Sequence, residues 1–158
     1  MPGKLTVDTP DDLKIVITRA FDAPRDLVFN CVTTPDLVKR WMTGPPGWTM
    51  PVCEIDLRVG GKYRYVWRNT EGQDMGMGGI YREISRPERI VSNELFDEDW
   101  TGGETVATMT LVERDGRTTL TTTVAYSSTA ARDAALRSGM TEGMEMGYAN
   151  LDALLKTV

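Results

Sequence analysis

The sequence of 158 residues contains no histidine. That absence removes the Ser-His-Asp and Cys-His arrangements, in which imidazole takes the nucleophile's proton near neutral pH. It also removes the usual zinc and non-haem iron ligand sets, so neither a metal nor another cofactor is expected. Any general acid or base must then be Asp, Glu, Tyr, Lys or Cys with a pKa shifted by its surroundings. Cysteine is scarce as well. Cys31 and Cys53 lack C-x-x-C spacing, so a structural disulfide is disfavoured and two reduced, inert thiols are expected.

Long hydrophobic runs are missing. No uninterrupted apolar stretch exceeds three residues, whereas a membrane-spanning helix needs roughly 18 or more. The opening MPGKLTVDTPDD lacks the apolar core of a secretory signal. A cytoplasmic protein with no membrane partner is the expectation. Basic charge is short too, with 18 Lys and Arg against 23 Asp and Glu and a net charge of −5. Phosphate backbones are bound by Lys and Arg that displace counterions, so nucleic acid is not expected as a partner.

What remains is the composition of a soluble domain, 41% hydrophobic and 26% charged. A chain of this length buries roughly 68–70% of its unfolded surface and needs no covalent staple. Residues 1–12 carry Pro2 and Pro10 without periodicity and read as a flexible arm, with one domain over 13–158. Ile15, Val16 and Ile17 open a β-branched run that predicts a strand as far as Phe21. Asp22 then reads as a helix cap and Pro24 as a first-turn residue, ahead of Leu27, Val28, Cys31 and Val32 at helical spacing. Pro35-Asp36 opens a second short helix, which Gly44-Pro45-Pro46-Gly47 must end.

From Met50 the period becomes two, with strands predicted near 51–57, 62–68, 76–85, 89–96, 104–113 and 117–126. Gly60-Gly61, Glu71-Gly72, Arg86-Pro87, Gly102-Gly103 and Asp115-Gly116 supply the turns of consecutive hairpins. The clearest alternation sets Tyr63, Tyr65 and Trp67 against Lys62, Arg64 and Arg68. Thr129 to Leu155 reads as one long helix, in which Met140, Met144, Tyr148, Leu151 and Leu155 form the stripe facing the sheet.

This order, β-α-α-β-β-β-β-β-β-α, resembles the helix-grip fold of the START-like (SRPBCC), birch-pollen-allergen superfamily. That is an α+β fold in which a curved antiparallel sheet, here of about seven strands, wraps a long C-terminal helix. Local patterns resemble more narrowly the domains homologous to the activator of the heat-shock-protein-90 ATPase. They are Arg19, Ala23-Pro24 with Val28-Phe29, Pro35, Trp41, and Asp56-Leu57-Arg58-Val59-Gly60-Gly61. Gly79, Pro87-Glu88-Arg89-Ile90 and Gly147-Tyr148 with Leu151 and Leu154 continue the series, over about residues 14–156. Two departures bear on pocket shape: Tyr148 stands where the family often has Trp, and Met42 where a second aromatic is common.

The resemblance implies an internal cavity between sheet and long helix that accepts a small apolar or amphipathic molecule. Its candidate lining is Trp41, Tyr63, Tyr65, Trp67, Met140, Met144, Tyr148 and Leu151. Core packing is the competing reading of the same residues, since any packed helix carries an apolar stripe. Trp48 and Trp100, with Trp41, either rim an entrance or cover apolar edges. Asp56 and Arg58 read as a surface ion pair beside a glycine turn, and Met75-Gly76-Met77-Gly78-Gly79 as a bend or bulge, since it lacks the G-x-G-x-x-G spacing of a dinucleotide loop. Asp97-Glu98-Asp99 reads as a solvated loop.

Non-catalytic ligand binding is therefore the leading expectation. A cyclase- or hydratase-type cavity enzyme is the alternative, drawing on Arg19, Glu83, Glu94 and Tyr65 if they face inward. One bulge reverses inside and outside, so their orientation stays open. A surface module touching a chaperone is a third reading, disfavoured because 158 residues leave no room for the companion chaperone-binding domain. A homodimer stays open.

Overall fold

These elements are realised in a computed structural model, which describes residues 4–98 and 103–158. Strands β1 (Thr6–Asp8) and β2 (Lys14–Phe21) precede helices α1 (Arg25–Thr33) and α2 (Pro35–Trp41). Strands β3 (Thr49–Ile55), β4 (Lys62–Arg68), β5 (Asp74–Ser85), β6 (Arg89–Phe96), β7 (Thr105–Arg114) and β8 (Arg117–Ala125) follow. The chain closes with α3 (Thr129–Arg137) and α4 (Met140–Leu155). The strands pair antiparallel in the order β1-β2-β8-β7-β6-β5-β4-β3, a curved, open sheet of the helix-grip fold.

The hairpin turns follow their residue chemistry. Asp115 and Gly116 both adopt positive φ, 55° and 75°, and the flanking Arg114 and Arg117 face each other across the ladder. Two consecutive left-handed residues match the twist of the strands they join.

Three details differ from the sequence reading. The sheet has eight strands rather than about seven, because Thr6–Asp8 of the expected arm pairs with β2. The Asp11 carboxylate accepts from the N–H groups of Leu13 and Lys14, at 2.8 and 2.9 Å, and so fixes the connection between the two strands. All three β1 residues are exposed, so no burial imposes an alternation that a sequence could display. The C-terminal helix is two helices, because Gly139 adopts φ 86° and breaks the α-helical run. Pro24, not Asp22, occupies the N-cap of α1, while the Asp22 carboxylate lies 3.4 Å from Arg117.

The core lies between the sheet's inner face and the helices. Ile15, Ile17, Arg19 and Phe21 alternate along β2 onto that face, and all four are buried. Arg19 is thus a cation inside the core, where an unpaired charge would be costly. It forms an ion pair with Asp152 of α4, donates to the Ala20 carbonyl at 2.6 Å and lies 4.8 Å from the Phe21 ring centroid. The close backbone neighbours of α4 are α2, α1 and α3 rather than the strands. Asn150 of α4 donates to the Trp41 carbonyl at 3.4 Å, and Trp41 Nε1 donates to the Cys31 carbonyl at 2.8 Å. The last helix therefore stands on the helix pair and is tied to the sheet by this ion pair and by the Tyr148 hydroxyl, which hydrogen-bonds with Thr122 of β8.

Removing one partner of a buried ion pair strands the other charge. Asp152→Ala is expected to cost about 3–5 kcal/mol in urea unfolding. A loss below about 1 kcal/mol, the value of an exposed pair, would contradict this account of the tie.

Candidate functional site: a cavity between the sheet and the last helix

Between the inner face and α4 lies a cavity of about 190 Å³. Period-two alternation builds its floor, with Tyr63 and Tyr65 from β4, Ile90, Ser92 and Glu94 from β6, and Leu120 and Thr122 from β8. Tyr81, Ala107 and Met109 complete the floor. Val32 and Thr33 of α1, Trp41 and Met42 at the end of α2, and Met144 and Tyr148 of α4 close it from the helical side.

Aromatic rings dominate the wall. Tyr63 packs at 5.2 Å from Tyr65 and 5.3 Å from Tyr81, measured between ring centroids. Tyr148 sits 5.9 Å from Trp41 and meets Phe21 edge-on at 5.5 Å. Burial holds the phenols of Tyr63, Tyr65, Tyr81 and Tyr148 above the ordinary tyrosine value and pushes Tyr126 up to about 12. All are neutral at physiological pH. The Tyr63 hydroxyl is committed to the Asn93 carbonyl at 2.8 Å, and that of Tyr148 hydrogen-bonds with Thr122.

Glu94 is the one carboxylate in the wall, and no Lys or Arg lines it. Removal from water raises the Glu94 pKa, offset in part by the Thr105 hydroxyl, which donates to Oε1 at 3.4 Å. Of the other polar strand residues whose orientation the sequence left open, Tyr65 lines the cavity and two point elsewhere. Arg19 is held in the core by Asp152, and Glu83 faces outward to Arg89 at 2.9 Å.

The structure brings Trp41, Tyr63, Tyr65, Met144 and Tyr148 together around the cavity and leaves Trp67, Met140 and Leu151 outside its wall. Trp67 donates Nε1 to the Met42 carbonyl at 2.8 Å and packs against the small cluster of Val38, Met50 and Cys53. Met140 lies in the first turn of α4, where the Tyr126 hydroxyl contacts its Sδ at 3.7 Å. Leu151 is wholly buried core. Tyr81, Ser92, Met109 and Thr122 line the cavity without having been singled out; the alternation Ile90-Ser92-Glu94 is the signal that carries two of the polar positions.

Other candidates resolve into structure. Arg58 Nε donates to Asp56 at 2.9 Å on the surface, and a Cβ at Gly61 would run into the Asp56 carbonyl. A Cβ at Gly79 would likewise collide with the Asn93 carbonyl, so this glycine permits close approach of β5 and β6. Cys31 and Cys53 are buried free thiols, and burial pushes Cys53 up to about 11. Asp97 of the acidic run pairs with Arg64 at 2.9 and 2.5 Å, while Asp99 and Trp100 lie outside the described residues. Trp48 borders a larger surface recess of about 520 Å³ with Met75, Phe96 and Glu98. That recess has no buried polar side chain in its wall, whereas Ser92 and Thr33 are buried in the wall of the cavity beneath α4, which is therefore the candidate site. Among the described residues no cluster of three or more His, Cys, Asp or Glu side chains could hold a metal, and no helix is long and apolar enough to cross a membrane.

Comparison with known proteins now bears on this geometry. The family profile described as "Activator of Hsp90 ATPase homolog 1-like protein" matches residues 22–156. The chain belongs to this family. A crystal structure of a protein from Rhodobacter sphaeroides is 32% identical, with a TM-score of 0.93 over 98% of this chain and 99% of that one. A Mycobacterium smegmatis protein is 26% identical, with a TM-score of 0.83 over 98% and 97%. An AHSA1-like protein from Aeromonas hydrophila, 18% identical over 90% and 94% with a TM-score of 0.73, shares the fold. None of the curated proteins matches the chain. Within this Hsp90-ATPase-activator-like family the two departures noted in the sequence, Met42 and Tyr148, both lie in the cavity wall.

A carboxyl whose pKa is raised by folding holds its proton more tightly in the native state. Its contribution is therefore complete below the ordinary carboxylate range and is lost as pH rises through the raised value. Glu94→Gln keeps an acceptor for Thr105 and removes the titration. Urea unfolding at about pH 5 and about pH 8 is expected to show the variant gaining on the parent as pH rises. A difference that does not change with pH would contradict a desolvated Glu94.

Proposed function

We propose that this protein binds a small apolar or amphipathic molecule in the cavity between the sheet and α4, without transforming it. The observation that carries the reading is the wall itself, in which aromatic and aliphatic side chains surround a single carboxyl. A mostly apolar concavity with a few convergent polar groups is the usual form of a small-molecule site. At about 190 Å³ the space is smaller than the roughly 300–1,000 Å³ of drug-sized pockets, so the occupant is a compact molecule. Family membership supports the same reading, because START-like folds characteristically hold hydrophobic ligands between sheet and helix.

Catalysis of the cyclase or hydratase type needs a proton donor and an acceptor set against the substrate. Glu94 supplies one such group, and the neutral phenols around it have pKa values raised further from the working range. Binding accordingly ranks ahead of turnover. A cytoplasmic setting goes with this reading, since both cysteines are free thiols. A net charge of −5 disfavours a nucleic-acid partner.

Met144→Trp places a larger ring in the open space. The variant is expected to unfold in urea within about 1.5 kcal/mol of the parent, and in an NMR titration 2-phenylethanol is expected to bind the parent and not the variant. Leu151→Ala, in the filled core, is expected to lose about 2–5 kcal/mol. Equal damage from both substitutions, with no binding by the parent, would show that the cavity is ordinary core.

A further inference from the structure

We infer that the occupant of this cavity is a compact amine, whose cationic nitrogen meets the Glu94 carboxylate while its apolar body lies against the rings of Tyr63, Tyr65 and Trp41. The inference rests on the proposed cavity binding and names the chemical class that the wall selects. Three observations carry it.

The first is the charge inventory of the wall. Glu94 is its one formally charged side chain, and no Lys or Arg lines the cavity. The nearest strand cation on the inner face, Arg19, is already paired with Asp152. An anionic ligand would set a second negative charge beside Glu94 in a largely apolar space, where like charges repel more strongly than in water. A neutral ligand would leave the carboxyl as it is. A cation relieves the desolvation of Glu94 directly and is the ligand charge that gains most from this wall.

The second observation is the unfilled hydrogen-bonding capacity of Glu94. A carboxylate offers about four lone-pair sites, and among the described residues the Thr105 hydroxyl, at the long distance of 3.4 Å, is the donor that reaches one of them. The phenols that face Glu94 do not add a charge. Tyr63 and Tyr65 of β4 and Tyr126 beyond β8 all feel the Glu94 charge, and all are held neutral by burial. The N–H groups of an ammonium would fill the remaining acceptor sites.

The third is the ring arrangement. Tyr65, Tyr63 and Tyr81 form a continuous aromatic row at 5.2 and 5.3 Å spacing, faced across the cavity by Trp41 and Tyr148. The negative face of an aromatic ring attracts a cation within about 6 Å, and an aromatic cage with a carboxylate is a recurrent way to hold an ammonium group. The same rings accept the carbon body of the ligand through ordinary apolar contact. Where the carboxyl is protonated in the free protein, binding an ammonium ion releases that proton to solvent. Acidification through the Glu94 pKa therefore weakens amine binding and leaves a neutral ligand unaffected.

The test uses three probes of one shape: 2-phenylethylamine as the cation, 2-phenylethanol as the neutral analogue and phenylacetate as the anion. Calorimetric titration of the parent is expected to give an amine affinity about tenfold or more above that of the alcohol, with no binding of phenylacetate. The amine's advantage is expected to shrink on acidification. Glu94→Gln is expected to bring the amine down to the affinity that the same variant shows for the alcohol. If the alcohol binds but the amine binds no better, or phenylacetate binds best, the assignment of an amine is overturned and cavity binding stands. If none of the three probes binds, both fall together.

Discussion

The Arg19–Asp152 ion pair is the contact on which the arrangement turns, because it is the charged tie between the last helix and the inner face of the sheet. Strand alternation places Arg19 in the core beside Ile15, Ile17 and Phe21, so the fold must supply an anion there. Asp152 does so from α4 and thereby fixes that helix in azimuth and depth. The rest of the support comes from α1, α2 and α3, with Trp41 and Asn150 at the junction. A helix propped on other helices and held to the sheet by the Arg19–Asp152 pair and a few contacts of Tyr148 can stand off from the sheet elsewhere. The space left toward its N-terminal half, beside Met144 and Tyr148, is the cavity.

That geometry gives the cavity its chemistry. Its floor is the inner face of five strands, where apolar and aromatic residues dominate and Ser92, Glu94 and Thr122 are inserted at alternate positions. Glu94 has no buried cation to neutralise it, in contrast to Arg19 with Asp152 on the same inner face. The buried Arg19 is satisfied by the fold, and the half-buried Glu94 faces the cavity. A structural core has no use for the second arrangement, which raises the cost of ionisation without tying two elements together. The proposed binding role gives it one, because a ligand would complete it.

Much of this was legible in the sequence. The alternation Tyr63-Tyr65-Trp67 marked the inner face of β4, Asp115-Gly116 marked the β7–β8 hairpin, and Pro35 with Gly44-Pro45 bounded α2, all as found. The contents of the cavity wall were less so, and β5 explains why. A register shift between Tyr81 and Glu83 sends Tyr81 inward and Glu83 outward although they are two residues apart, and brings Ile84 to the core. Simple parity carried through that bulge misplaces every later residue of the strand. Trp67 fails for another reason: it shares the face of Tyr65 but lies nearer the strand end, where Met42 and the Val38 cluster cover it. Gly139 was a readable break, masked by apolar spacing that continues across it from α3 into α4.

The central claim is that the gap beneath α4 is an occupied site when the protein meets its ligand. Native mass spectrometry of protein freshly purified from its own source, under gentle ionisation, tests this most directly. The account predicts a species heavier than the bare chain by one compact molecule, released on denaturation and carrying a basic nitrogen, and absent from Met144→Trp. A single species at the bare-chain mass for both proteins, or an anionic molecule retained equally by both, would contradict it.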